Sequence, residues 1–95
     1  MKVVFDPRAA DDLERIHDFI AADSPANAQA VVDRILSSID RLGEFPSMAR
    51  AGQAEGTHEW VIPRLPYIAV YRVDAERGIL TILAVFHGAQ NRDAK

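Results

Sequence analysis

An α+β domain in the order β-α-α-β-β-β, with a helical hairpin laid on a mainly antiparallel four-stranded sheet, is the fold this sequence predicts. Three observations predict it. Two apolar stripes of helical period run through residues 7–42, each opened by an acid or a serine followed by proline. Residues 44–56 gather Pro46, Gly52 and Gly56 among small and polar side chains and read as a loop. Beyond them the apolar period shortens to that of strands, in three runs separated by turn residues.

The chain opens with Lys2-Val3-Val4-Phe5, a short β-type run. Asp6-Pro7 starts the first helix: an aspartate can cap free amides, and proline fits the first helical position, where its missing N–H costs nothing. Ala9, Leu13, Ile16 and Ile20 follow at helical spacing, with Asp11, Asp12, Glu14 and Asp18 at the remaining positions. Ser24-Pro25 repeats the start signal. Ala28, Val32, Ile35, Ile39 and Leu42 form the second stripe, widened by Val31 and Leu36. Gly43 stands where a left-handed residue would stop the helix.

Three strands are expected over residues 58–62, 67–73 and 79–86. Pro63 and Pro66 divide the first from the second, since proline cannot donate to a ladder. Residues 74–78 make a hairpin loop. The last run is apolar at positions of both parities, which places it centrally in the sheet and covered on both sides or nearly so. The first strand joins either an edge or the centre of this meander.

The same residues bound what the chain can do. Its 95 residues suit one domain, 1–95. At 48% hydrophobic and 26% charged residues the composition is that of a folded soluble domain. No apolar run approaches the ~18–20 residues of a membrane helix, and the N-terminal stretch is too short for a secretory signal. The absence of cysteine excludes disulfides and thiolate metal sites, and fits a cytoplasmic location. Three histidines, at 17, 58 and 87, have no ligand spacing, and no glycine-rich phosphate loop exists, so neither a metal nor a cofactor is expected. The net charge of −3 argues against broad binding to a polyanion. It divides unevenly. Residues 1–49 carry 5 Lys/Arg against 9 Asp/Glu, and residues 50–95 carry 6 against 5, so a surface that meets nucleic acid is expected from the second half.

Four strings in order resemble the RelE/ParE superfamily of toxins from type II toxin–antitoxin pairs. They are Ala9-Ala10-Asp11-Asp12-Leu13 with Ile16 and Ile20; Leu42-Gly43-Glu44-Phe45-Pro46; Tyr67-Ile68-Ala69-Val70-Tyr71-Arg72-Val73; and Ile82-Leu83-Ala84-Val85-Phe86-His87-Gly88-Ala89-Gln90-Asn91-Arg92. The last is the most specific. The resemblance implies a toxin held inactive by a cognate antitoxin in a hetero-oligomer. It also implies one of two targets: RelE-like members cut messenger RNA in the ribosomal A site, and ParE-like members poison DNA gyrase.

Cutting RNA needs a base, an acid and cations for the developing phosphorane charge. RelE-like nucleases draw these from a basic sheet face, with His or Tyr near the end. Here the two lysines, Lys2 and Lys95, are both near the termini. The nuclease candidates are Arg64, Arg72, His87 and Arg92. His58 and Glu59 are adjacent on a strand and point to opposite faces, which keeps them from one site; His58 reads as an exposed strand-end residue. Arg72, on the face of Ile68 and Val70, is either a functional cation or a cross-strand partner of Glu59. His87 ends the last strand, but Gly88 follows it and no tyrosine occurs after Tyr71; a single local hydrogen bond would satisfy its ring. These departures favour the ParE-like branch, with His87, Gln90, Asn91 and Arg92 meeting DNA gyrase. The ribosome and its mRNA are the alternative partners. Trp60, Leu13 and Ile16 are expected at the antitoxin interface, where aromatic and aliphatic anchors dominate.

Overall fold

The computed structural model describes residues 1–52 and 54–89. Strand β1 (Lys2–Phe5) leads into helix α1 (Pro7–Ala21) and helix α2 (Pro25–Glu44). A 3-10 turn (Pro46–Met48) and strand β2 (Arg50–Ala51) come next, then β3 (His58–Val61), β4 (Tyr67–Asp74) and β5 (Ile79–His87). The sheet order is β1-β5-β4-β3-β2. All pairs are antiparallel except β1 with β5, which run parallel. A parallel pair needs a long crossover, and the helical hairpin is part of the chain that supplies it.

The sheet therefore has five strands where four were expected. The extra one, Arg50–Ala51, lies inside the stretch read as loop and exists only through its pairing with Glu59 and His58. The first strand takes an edge, beside β5. The middle of the sheet is β4, and β5 is an interior strand between β4 and β1.

Both helix starts form as their residues dictate. The Asp6 carboxylate accepts the Arg8 N–H at 3.1 Å, and Ser24 Oγ accepts the Asn27 N–H at 3.2 Å. Asp6 also closes the β1 ladder, its N–H donating to the Ile82 carbonyl at 2.9 Å. The end of α2 differs from expectation. Gly43 is helical and buried, and Phe45, not a left-handed residue, caps the helix. The glycine is needed for close approach instead: a Cβ there would lie 3.0 Å from both the Met1 carbonyl and Val3 Cγ2. The N-terminal ammonium donates to the Gly43 carbonyl at 3.0 Å, which ties the start of β1 to the end of α2.

The core lies between the hairpin and one sheet face. Ala9 from α1 and Ile35, Ile39 and Leu42 from α2 meet Ala69 and Tyr71 of β4 and Leu80, Ile82 and Val85 of β5. Tyr71 is fully buried, and its hydroxyl donates to the Pro46 carbonyl at 2.6 Å. On the second helix stripe Leu36 remains 37% exposed. The opposite sheet face is less covered than the apolar run of β5 implied: Thr81, Ala84 and Phe86 are half-buried there.

Candidate functional site

Beyond Phe5, β1 has ended, and the edge of β5 is met by α1 instead. Asp12, buried on that side of the helix, accepts the Val85 N–H through Oδ2 at 2.9 Å and the Arg15 guanidinium through Oδ1 at 2.7 Å. The carboxylate thus replaces the strand that β1 is too short to supply. A buried amide without an acceptor costs about 1–3 kcal/mol, which accounts for an acid inside the helix's covered face. Sequence reading placed Asp12 on the solvent side; its position three residues after Ala9 and four before Ile16 was the available signal.

A second irregularity aims the end of β5. Val70 pairs with Ala84 but Tyr71 pairs with Ile82, so Leu83 is an extra residue on β5. Such a bulge shifts the side-chain alternation. Leu80 and Ile82 face the helices before it, and Val85 and His87 do so after it. His87 pairs with Tyr67, and the two rings meet edge to face at 5.4 Å. His87 Nδ1 accepts the Ala89 N–H at 2.9 Å, the local hydrogen bond expected of a strand-terminal imidazole. That bond leaves the ring proton on Nε2.

Between α1 and the last residues of β5 opens a groove of about 1180 Å³. Arg8, Asp12, Arg15, Ile16, Asp18 and Phe19 line its helical wall, and Phe86 and His87 belong to its strand wall, with Arg72 reaching it from β4. Phe19 is 80% exposed. The groove combines apolar surface with three guanidinium groups, of which Arg15 is tied to Asp12. Burial pushes the Tyr67 phenol above its ordinary value of 10.0. The Tyr71 phenol is also raised by burial, with a backbone hydrogen bond at Ala49 pulling the other way.

The candidates from sequence divide between places. Arg72 and His87 line this groove. Arg64 does not: it sits in the β3–β4 turn with φ 67°, beside α2, in a separate hollow. Arg92, Gln90 and Asn91 lie outside the described residues. The three expected antitoxin contacts, Leu13, Ile16 and Trp60, all pack against the core, and of them Ile16 also lines the groove. Trp60 Nε1 donates to Ser38 Oγ at 3.0 Å beneath α2. The Glu59 carboxylate, 4% exposed, accepts from Arg50 Nη2 at 3.2 Å; the strand that carries Arg50 had no sequence signal. His58 is half-buried and stacks on Tyr71 with ring centroids 5.2 Å apart, so it is not an exposed strand-end residue. Among the described residues no group of three His, Asp or Glu side chains could hold a metal ion, and no helix is long and apolar enough to cross a membrane.

Comparison with known proteins agrees with this architecture. The chain is 38% identical over 76 residues to the putative toxin Y4kP of Sinorhizobium fredii, covering 80% of this chain and 79% of that one. It is 34% identical over 89 residues to the toxin RelE2 of Caulobacter vibrioides, covering 94% and 97%. The fold superposes on the chromosomal ParDE toxin–antitoxin system of P. aeruginosa with a TM-score of 0.80 at 23% identity, over 92% of this chain and 95% of that chain. Residues 3–92 match the family model of the ParE toxin of the type II toxin–antitoxin system parDE. A chain matched over nearly its whole length, with the two-helix hairpin on the mixed sheet of that fold, belongs to the ParE toxin family of type II toxin–antitoxin systems.

Proposed function

We propose that this toxin acts by binding DNA gyrase and is neutralised by a cognate antitoxin that fills the groove between α1 and β5. What carries the gyrase reading is the separation of the nuclease candidates. Arg72 and His87 line the groove, but Arg64 stands in another hollow that shares no lining residue with it. A phosphorane needs its cations within hydrogen-bonding reach of one centre, and the groove contains no lysine. His87 Nδ1 is engaged by its own tail. On this reading His87, Gln90, Asn91 and Arg92 contact the target, and Arg92→Ala lowers toxicity while changing stability by less than ~0.5 kcal/mol.

The antitoxin reading rests on the groove's exposed apolar wall and its arginine rim, which suit an amphipathic segment bearing acids. The P. aeruginosa neighbour is a ParDE system. A disordered antitoxin tail that folds on docking would convert this surface into interface.

One observation favours a second reading, a ribosome-dependent mRNA endonuclease. Tyr67 stands against His87 from the neighbouring strand, which puts a phenol and an imidazole together on the groove wall. The relative named RelE2 points the same way. Two assays separate the readings: supercoiling by purified gyrase, and cleavage of mRNA on programmed ribosomes. Inhibited supercoiling with intact message is the expected result. Message cut in the A site, with cleavage lost in Tyr67→Phe or His87→Gln, would overturn it.

A further inference from the structure

The sheet ends in β1 on one side and β2 on the other, and the two edges are protected differently. β2 is two residues long, and its Arg50 is bound to Glu59; shortness and charge blunt an edge against pairing. β1 has neither charge nor proline from Val3 to Phe5. Its ladder to β5 uses alternate residues: Lys2 donates to the Gly78 carbonyl at 2.8 Å and Asp6 to the Ile82 carbonyl at 2.9 Å. The N–H and C=O groups of Val3 and Phe5 therefore point away from β5. Neither of those N–H groups has a hydrogen-bond acceptor among the described residues. Phe5 is 37% exposed, and Val3 and Val4 are half-buried.

This edge is complementary to itself. In an antiparallel pair, outward-pointing residues must face one another to exchange both hydrogen bonds. Two copies of β1 centred on Val4 meet that condition. Val3 of each faces Phe5 of the other, and the two pairs exchange their backbone hydrogen bonds. Lys2 of each copy then stands opposite Asp6 of the other, in the class of pair whose Cα atoms come within about 4.5 Å. Opposite charges so placed stabilise the pairing. Neither Lys2 nor Asp6 makes an ion pair among the described residues, and Asp6 spends one oxygen, Oδ2, on the Arg8 N–H. Moving the register by two residues sets Lys2 against Val4, or Val3 against Pro7, which has no N–H; either way both charge pairs are lost. Moving it by one turns bonding groups to the wrong edge.

We infer that two copies of this chain pair through β1, antiparallel about Val4, and join their sheets into one. Alternate side chains of a strand share a face. Val3 packs against the core on the helical side, so Phe5 lies on that side too, and the exposed ring of each copy is covered by Val3 of the other. A strand from the antitoxin would need a matching sequence of its own, whereas a second copy brings the complement with it. No residue of β1 lines the groove between α1 and β5, so the inference stands whether the target is gyrase or the ribosome.

The test is analytical ultracentrifugation of the purified full chain, with hydrogen exchange read at single amides. A contact along one strand edge lies at the weak end of interfaces, with a dissociation constant of roughly 100 μM. Between about 10 and about 500 μM the weight-average mass should rise from 10.5 kDa toward twice that value. Over the same range the Val3 and Phe5 amides should exchange more slowly. Lys2→Glu sets like charges opposite each other twice and should weaken the dimer at least ~5-fold. Phe5→Pro removes an outward N–H and no bond to β5, and should abolish the dimer. Phe19→Ser, in the groove, should change the constant less than ~2-fold. Lys2 is exposed, so Lys2→Glu carries the test even if Phe5→Pro fails to fold. A mass of 10.5 kDa at every concentration overturns the inference. So does a dimer that Lys2→Glu leaves as tight, or one that Phe19→Ser abolishes. Slowed exchange at Val3 and Phe5 that appears only in the co-purified toxin–antitoxin complex would assign the edge to the antitoxin, and overturns it equally.

Discussion

Asp12 and the two tyrosines decide most at the level of single side chains. Replacing Asp12 with alanine strands the Val85 N–H on a strand edge that α1 keeps from water. The expected loss is about 1–3 kcal/mol, read from the urea midpoint. Arg15→Ala removes only the exposed partner, whose side chain is 70% accessible, and should change stability by less than ~0.5 kcal/mol. Equal losses in the two variants would mean that the ion pair, and not the edge amide, is what Asp12 serves. Tyr67 and Tyr71 are the chain's two tyrosines, so phenolate absorbance reports on them alone. Burial raises both above 10.0 in the folded state. Above pH 10 the unfolded chain therefore binds fewer protons than the folded one, and stability falls with rising pH; below that pH these groups leave stability unchanged. Phenolate absorbance should appear together with loss of circular dichroism. Ionisation of both tyrosines at pH 10 in a chain that stays folded would show that burial does not hold their protons.

Elements set by local chemistry were legible in the sequence, and those set by pairing were not. Asp6-Pro7 and Ser24-Pro25 announce the helix starts because capping is a short-range hydrogen bond. The strands β3, β4 and β5 are divided by prolines and a turn that any reading finds. β2 has two residues whose strand character comes entirely from Glu59 and His58. The bulge at Leu83 is hidden because β5 is apolar on both sides of the slip, leaving no polar residue to mark the change of face. Consequently the orientation of His87 was not readable, although its position at the strand end was. The separate hollow at Arg64 was equally hidden, since Arg34 and Arg41 join its lining only once α2 lies beside the β3–β4 turn. Gly43 offers the test at this scale. Alanine in a helix is favoured over glycine by about 1 kcal/mol, yet its Cβ would press on the Met1 carbonyl and Val3. Gly43→Ala should gain nothing, and Gly43→Val should lose about 1–3 kcal/mol in chemical denaturation as β1 is displaced. A gain of a full 1 kcal/mol in Gly43→Ala would show that β1 yields freely.

For the whole molecule, the groove and the core draw on the same two elements, α1 and β5, and share Ile16 and Val85, so the side chains that serve the groove alone are the exposed ones. Ala9, Ile82 and Val85 are buried in the core, whereas Phe19 is 80% exposed on the groove wall. An exposed phenylalanine contributes little to folding, because its surface stays in water in the folded state. It becomes valuable when a partner covers it, since burial of one large apolar side chain is worth about 1.5–3 kcal/mol, or roughly 10- to 150-fold in a dissociation constant. Phe19→Ser should therefore leave the melting temperature of the free toxin within a degree or two. It should weaken antitoxin binding by at least ~10-fold in calorimetry. In cells the variant should escape neutralisation at antitoxin levels that silence the unaltered toxin. Arg92→Ala should behave in the opposite way, losing toxicity and keeping the antitoxin. If Phe19→Ser instead loses toxicity with antitoxin binding intact, the groove is the target surface, and the antitoxin acts from another face.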